Sequence, residues 1–323
     1  MDIEILLWLQ EFREAIGGVL NGFFQFLSTV AVDYYALVPA LILFWVVDKR
    51  AGLYGLNSYG IACVENATLK SAFCVYRPWI RDNRVAPPAD ILSGASGYSF
   101  PSGHSSSSSG FYGGLIAYYR RHKALCILFA VIVALTMFSR IYFGVHTPQD
   151  ILVGLATGVA AALLVVAADR FVTKHPKLDW VIPVIATAVS AAVLLFVSLK
   201  TYPVDYVDGK VLVDPASMAV NSFKDPGRFF GIVWGWFIER RFIRFEISGT
   251  KAEKVFRAVL GGFLFVFYWT TVVSAVGKIV GNGVVHFFLQ ASAPFLFMTV
   301  YPLCFKKKKA ASEKAPETAV KEA

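Results

Sequence analysis

Two apolar runs, VIPVIATAVSAAVLLFVSL (181–199) and VFRAVLGGFLFVFYWTTVVSAV (255–276), constrain this chain more than any other feature. Each is close to the roughly 20 residues that cross a bilayer as a helix. A soluble globule of 323 residues would have to bury every such run, which its surface-to-volume ratio does not allow. Charged residues make up 16% of the chain, against roughly 25% in a soluble domain, and mean hydropathy is +0.58. The expected fold is all-α, a polytopic bundle of membrane helices.

Candidate spans fall at 16–31, 34–48, 52–73, 104–119, 124–141, 147–168, 179–199, 224–238, 255–276 and 282–304. Basic clusters punctuate alternate gaps between them: DKR (48–50), RRHK (120–123), DRFVTKHPK (169–177), ERRFIRF (239–245) and KKKK (306–309). The excess of Lys and Arg in cytoplasmic loops places all of these inside the cell. Loops 74–103, 142–146, 200–223 and 277–281 then face outward. The net charge of +9 is thereby explained by topology, and no basic helical stripe with exposed aromatics points to nucleic acid. The acidic, amphipathic N-terminus, MDIEILLWLQEFREAIGG, lacks the features of a cleaved leader and reads as an interfacial helix. Cys63, Cys74, Cys126 and Cys304 have no metal-ligand spacing and read as small buried hydrophobes.

The outward loops hold three polar clusters. In LKSAFCVYRPW, Lys70 and Arg77 stand seven residues apart, on one face of a helix that Pro78 brings to an end. Snorkelling accounts for Arg77, but Lys70 lies about 10 Å deeper, and a lysine inside a membrane segment is a functional candidate by default. In GYSFPSGHSSSSSG, a helix opening near Ser102 or Gly103 offers free backbone N–H groups to an anion, beside His104. The serines that follow read as small residues for close helix packing. In SRIYFGVHTPQD, Arg140 closes one span and His146 precedes the next. Thr147, Pro148 and Asp150 fit a capping box, while the same Asp150, four residues after His146, can reach back to its imidazole and fix its tautomer.

Together these residues provide three cations, two histidines, a carboxylate and a helix N-terminus on one membrane face. Phosphoryl transfer uses such parts: charge neutralisation, a nucleophile and an acid for the leaving oxygen. A metal site fits poorly, because the histidines lack carboxylate or thiolate co-ligands and three cations would repel the ion. No cofactor is expected.

The ordered set Lys-x6-Arg-Pro (70–78), Pro-Ser-Gly-His (101–104) and Ser-Arg-x5-His-x3-Asp (139–150) resembles the three-part signature of the type 2 phosphatidic acid phosphatase superfamily, which reaches as far as the vanadium haloperoxidases. The resemblance covers about 34–168 and implies a six-helix phosphatase core, here followed by three to four extra helices. It implies His146 as the nucleophile that becomes a phosphohistidine, oriented by Asp150. His104 would be the acid for the leaving group, and Lys70, Arg77, Ser102, Gly103 and Arg140 the phosphate-binding set, without a metal. The chain then divides into an N-terminal segment (1–33), the core (34–168), further membrane helices with the outward loop 200–223 (169–305), and a disordered basic tail (306–323). Within that outward loop, VDYVDGKVLV carries a hairpin signal, although a plain connector is the simpler reading. The implied partners are the bilayer and a lipid phosphate or polyprenyl pyrophosphate, processed on the extracytoplasmic side with the C-terminus in the cytoplasm. The alternatives are a lipid phosphotransferase using the same site and a non-enzymatic lipid transporter.

Overall fold

The computed structural model describes residues 2–30, 33–207 and 210–305; the tail expected over 306–323 lies outside them. Fifteen helices follow in order. They are α1 (Asp2–Ala15), α2 (Asn21–Val30), α3 (Asp33–Ile42, prolonged by a π-helical turn Leu43–Val47), α4 (Lys49–Phe73), α5 (Pro78–Arg81), α6 (Ala89–Ser93), α7 (Gly103–Tyr118) and α8 (Lys123–Tyr142). The second half holds α9 (Pro148–Lys174), α10 (Val181–Leu199), α11 (Pro215–Asn221), α12 (Lys224–Ile238), α13 (Lys251–Tyr268), α14 (Ala275–Ile279) and α15 (Gly283–Leu303).

Among the described residues, five helical stretches are long and apolar enough to cross a membrane, or six if α2 and the segment 35–47, bent by 58°, form one broken span. Here the sequence reading needs correction. The first expected span, 16–31, is not a separate crossing: the helix begins only at Asn21, and Asn21, Phe24 and Ser28 all meet the last turns of α8 at Tyr142, Phe138 and Ser139. The glycines at 17 and 18 adopt positive φ and break the chain between α1 and α2. Outward-facing side chains such as Ile127, Leu163, Val259, Phe263 and Phe288 are more than 60% exposed. An apolar surface of this extent belongs to lipid rather than water. The protein is a multi-pass integral membrane protein.

Helix α4 is too polar, and α7 and α12 are too short, to read as isolated spans, yet they form the centre of the bundle. Small residues make this possible. A Cβ on Gly154 of α9 would lie 2.7 Å from the Ser105 Cβ of α7, and one on Gly110 would lie 2.6 Å from the Ala62 Cβ of α4. All five serines of 105–109 are buried. Some of their hydroxyls bond across helices, as Ser109 does to the Gly154 carbonyl at 3.1 Å. Others, such as Ser107, donate to carbonyls of their own helix. Helices α12 and α15 pair just as closely, Gly227 and Gly231 lying on the backbone of Phe287 and Ala291.

Three of the basic clusters, at 48–50, 169–177 and 239–245, gather at one end of the bundle. Arg50 pairs with Asp169 at 2.8 Å, Lys49 with Glu239 at 2.5 Å, and Arg241 with Asp179 at 3.1 Å. Lys70 lies at the other end of α4, so the basic loops and the three polar clusters occupy opposite ends. Helix α1 sits at the cluster end, where Arg13 donates to the carbonyls of Ala86 and Tyr142. Loop 200–223 is more than a connector: Tyr206–Val207 pairs antiparallel with Lys210–Val211, and α11 follows.

Candidate active site

The fold brings the three clusters together through their backbones. Ser102 caps α7, its hydroxyl accepting from the Ser105 amide at 3.4 Å, which leaves the amides of Gly103 and His104 without an intrahelical partner. The Ser102 amide itself donates to the Asp150 carbonyl at 3.0 Å, tying the start of α7 to the start of α9. The Pro101 carbonyl is held by the Asn66 amide of α4 at 3.1 Å, and the same Asn66 donates to Ser106. Ser102, Arg77, Arg140, His146 and Asp150 are all buried, while Gly103, His104 and Lys70 are partly accessible.

Arg77 is the hub. Its guanidinium donates to the carbonyls of Ser96 (3.0 Å), Gly97 (3.2 Å) and Val145 (3.0 Å), and to His146 Nε2 at 2.9 Å. A guanidinium has no acceptor atom. His146 Nε2 must therefore carry the lone pair, and the ring proton sits on Nδ1, facing Asp150 Oδ2 at 3.4 Å and Ser99 Oγ at 3.4 Å. Burial holds the His146 imidazole well below the ordinary histidine range, and the charges of Arg77, Lys70 and Arg140 push in the same direction. Arg77 is itself pushed down to about 10 by burial, against the opposing pull of Asp150, and stays charged at neutral pH.

Asp150 completes the capping box read from the sequence: its carboxylate accepts from the Thr147 amide at 2.8 Å. The shorter bond, 2.5 Å, comes from the Ser99 hydroxyl. The i,i+4 contact to His146 exists but is long, so Asp150 is held first by Ser99 and Thr147. Sequence reasoning passed over Ser99, which has no periodic or motif signal and reaches Asp150 only through the fold. It passed over Asn66 for the same reason.

Lys70 Nζ donates to the Tyr98 carbonyl at 2.9 Å, and Arg140 Nε is buried with no partner. Among the described residues, no carboxylate lies within ion-pair distance of Lys70, Arg77 or Arg140. Buried cations without counter-charges are costly unless an anion joins them. His104, at the α7 N-terminus, lies in the field of Arg140, His146, Arg77 and Lys70. The pocket thus sets an imidazole, its unprotonated Nε2 held by Arg77, among cations and the two unpartnered amides at the start of α7. That composition favours a tetrahedral, multiply charged anion such as phosphate. Among the described residues, no three His, Cys, Asp or Glu side chains converge on a point where a metal could bind.

Comparison with known proteins places these residues inside a recognised stretch. Residues 51–174 match the PAP2 superfamily, and residues 223–313 match the PAP2 superfamily phosphatase, transmembrane extension. An undecaprenyl-diphosphatase of Sulfolobus acidocaldarius is 31% identical over 140 residues, 43% of this chain and 66% of the relative. A phosphatidylglycerophosphatase B of Bacillus subtilis is 35% identical over 152 residues, 43% of this chain and 70% of the relative. A probable sphingosine-1-phosphate phosphatase of Dictyostelium discoideum is 23% identical over 213 residues, 60% of this chain and 50% of the relative. No solved structure matches the chain significantly.

Proposed function

The chain belongs to the PAP2 superfamily of phosphatases, and on that premise we propose that it hydrolyses a lipid phosphate or polyprenyl pyrophosphate through a phosphohistidine, without a metal. The observation that carries the reading is His146 with its Nε2 held by Arg77, beside cations that have no carboxylate at ion-pair distance among the described residues. A bound phosphate would take the place of His146 as acceptor for Arg77, releasing the lone pair of Nε2 for attack on phosphorus. As the N–P bond forms, the bond from phosphorus to the leaving oxygen breaks, and His104, protonated once the negative charge of the bound phosphate offsets the surrounding cations, supplies the proton that oxygen needs. Asp150 stabilises the positive charge that develops on the His146 ring, with Ser99 and Thr147 fixing the carboxylate. Lys70, Arg77, Arg140 and the amides of Gly103 and His104 neutralise the equatorial oxygens. Water then attacks phosphorus with His104 accepting its proton, and the N–P bond breaks, returning the lone pair to His146 Nε2 and releasing phosphate.

The names of the relatives span a polyprenyl diphosphate, a glycerophosphate lipid and a sphingoid phosphate, so the proposed substrate class is the phosphorylated membrane lipid in general. The positive-inside distribution supports an extracytoplasmic site and a cytoplasmic C-terminus. The test is phosphate release by the purified protein from a panel of lipid phosphates and diphosphates. Release that persists in EDTA and is blocked by vanadate is the expected result. Loss on chelation, restored by a divalent ion, would contradict the mechanism.

A further inference from the structure

The residues that hold two of the site cations are themselves held by the second half of the chain. Lys70 donates to the Tyr98 carbonyl, and Arg77 to the carbonyls of Gly97 and Ser96. This strand of carbonyls is pressed from outside by the segment joining α10 to α12. The Tyr202 ring stacks on the fully buried Tyr98 ring, centroids 6.5 Å apart and planes within 9°. Tyr98, Tyr202, Val213 and Met218 form one apolar cluster. Gly97 has φ +70, and a Cβ there would sit 2.6 Å from Met218 Sδ, so thioether and backbone are in direct contact. Two polar latches close the edges: Tyr76 Oη donates to Asp205 at 2.5 Å, and Ser71 meets Ser222 at 3.0 Å.

We propose that Tyr202, Met218 and Asp205 are positioning residues for the phosphate site, acting through the Gly97–Tyr98 carbonyls on Arg77 and Lys70. This rests on the phosphatase reading of that site. An ammonium has three donors. With one fixed on the Tyr98 carbonyl, the other two are aimed rather than free to rotate. A loosened Tyr98 backbone lets the lysine amine swing, and the site loses a directed charge-assisted bond to its anion. The effect falls on anion affinity before it falls on the bond-breaking step, because Asp150, which faces His146 Nδ1, is anchored by the Thr147 amide in the capping box of α9, outside the 96–98 backbone.

The experiment uses the full chain in detergent and reads vanadate inhibition together with KM and kcat on a lipid phosphate. Tyr202→Ala is expected to weaken vanadate inhibition and raise KM, each by about tenfold, with a smaller fall in kcat. Tyr202→Phe restores both, since the Tyr202 hydroxyl is buried without a hydrogen-bond partner and the ring alone does the packing. Asp205→Ala, at an exposed position that folding tolerates, moves the same two quantities in the same direction by less. Val204→Ala, half exposed in the same segment, leaves them at wild-type values. Wild-type vanadate inhibition and KM in both Tyr202→Ala and Asp205→Ala, in a wild-type protein that is active, overturns the coupling while leaving the phosphatase reading intact. A wild-type protein that neither releases phosphate nor binds vanadate overturns the reading and the coupling together.

Discussion

At the scale of single residues, the informative fact about the pocket is which atom holds a lone pair. Arg77 can only donate, so its 2.9 Å bond assigns the proton of His146 to Nδ1 and leaves Nε2 as base and nucleophile. The lowered His146 pKa gives this a pH consequence whose sign is fixed. The folded protein binds a proton at His146 only below the ordinary value of about 6.5, so the imidazole is already neutral at pH 7 and stays neutral through that value as pH falls. The acid limb of kcat/KM, corrected for ionisation of the substrate phosphate, should therefore begin below the usual histidine range. A limb centred at or above 6.5 would contradict the geometry. The same shift acts on stability. The unfolded chain takes up the His146 proton first, so this group favours unfolding as pH falls below the unfolded value and makes no such contribution above it. The charged and imidazole side chains that the proposed chemistry uses, Lys70, Arg77, His104, Arg140, His146 and Asp150, were legible in the sequence, because such side chains stand out at a membrane boundary. Ser99 and Asn66 were not, since a neutral hydroxyl or amide in a loop or helix carries no signal until the fold gives it a partner.

At the scale of elements, the site depends on how closely α7 and α9 approach, because the start of each carries half of it. Gly154 sits where any side chain would press on Ser105 Cβ and the Ser102 carbonyl, at 2.7 and 2.8 Å. Gly154→Val should push the two helix starts apart, costing about 1–3 kcal/mol by overpacking. Its effect on turnover should exceed that of Gly22→Ala, where nothing lies within 4 Å. Thermal melting and phosphate release measured on both variants check this, and equal activity would show that the helix starts are not held by that contact. Helix positions were well read from apolar runs, as α8, α9, α10 and α15 show. The first span failed because apolar residues continue through Gly17, Gly18 and the start of α2, so composition alone could not show where the helix broke. The role of segment 200–223 was missed for a different reason: an Asp-Gly turn signals a hairpin but says nothing about which surface the hairpin will cover.

At the scale of the whole molecule, the two ends differ in chemistry. One carries paired charges, the exposed Arg50–Asp169 and the part-buried Lys49–Glu239; the other carries Lys70, Arg77 and Arg140 with no carboxylate at ion-pair distance among the described residues. If the first end is cytoplasmic, a cysteine placed at exposed Ala89, in a background without the native cysteines, reacts with an impermeant maleimide added to intact cells. One at exposed Ala252, in the first turn of α13, reacts only after permeabilisation, and the opposite pattern would put the site in the cytoplasm. The central claim, that His146 itself carries the phosphate, has a more direct test. The His104→Ala protein, whose hydrolysis step lacks its proton acceptor, is mixed with a labelled nitrophenyl phosphate, whose leaving group departs without a proton, and quenched in alkali, where phosphohistidine survives. The account predicts alkali-stable, acid-labile label on the peptide containing His146, and none in the His104→Ala/His146→Ala protein. Label on another residue, or label that persists without His146, would contradict it.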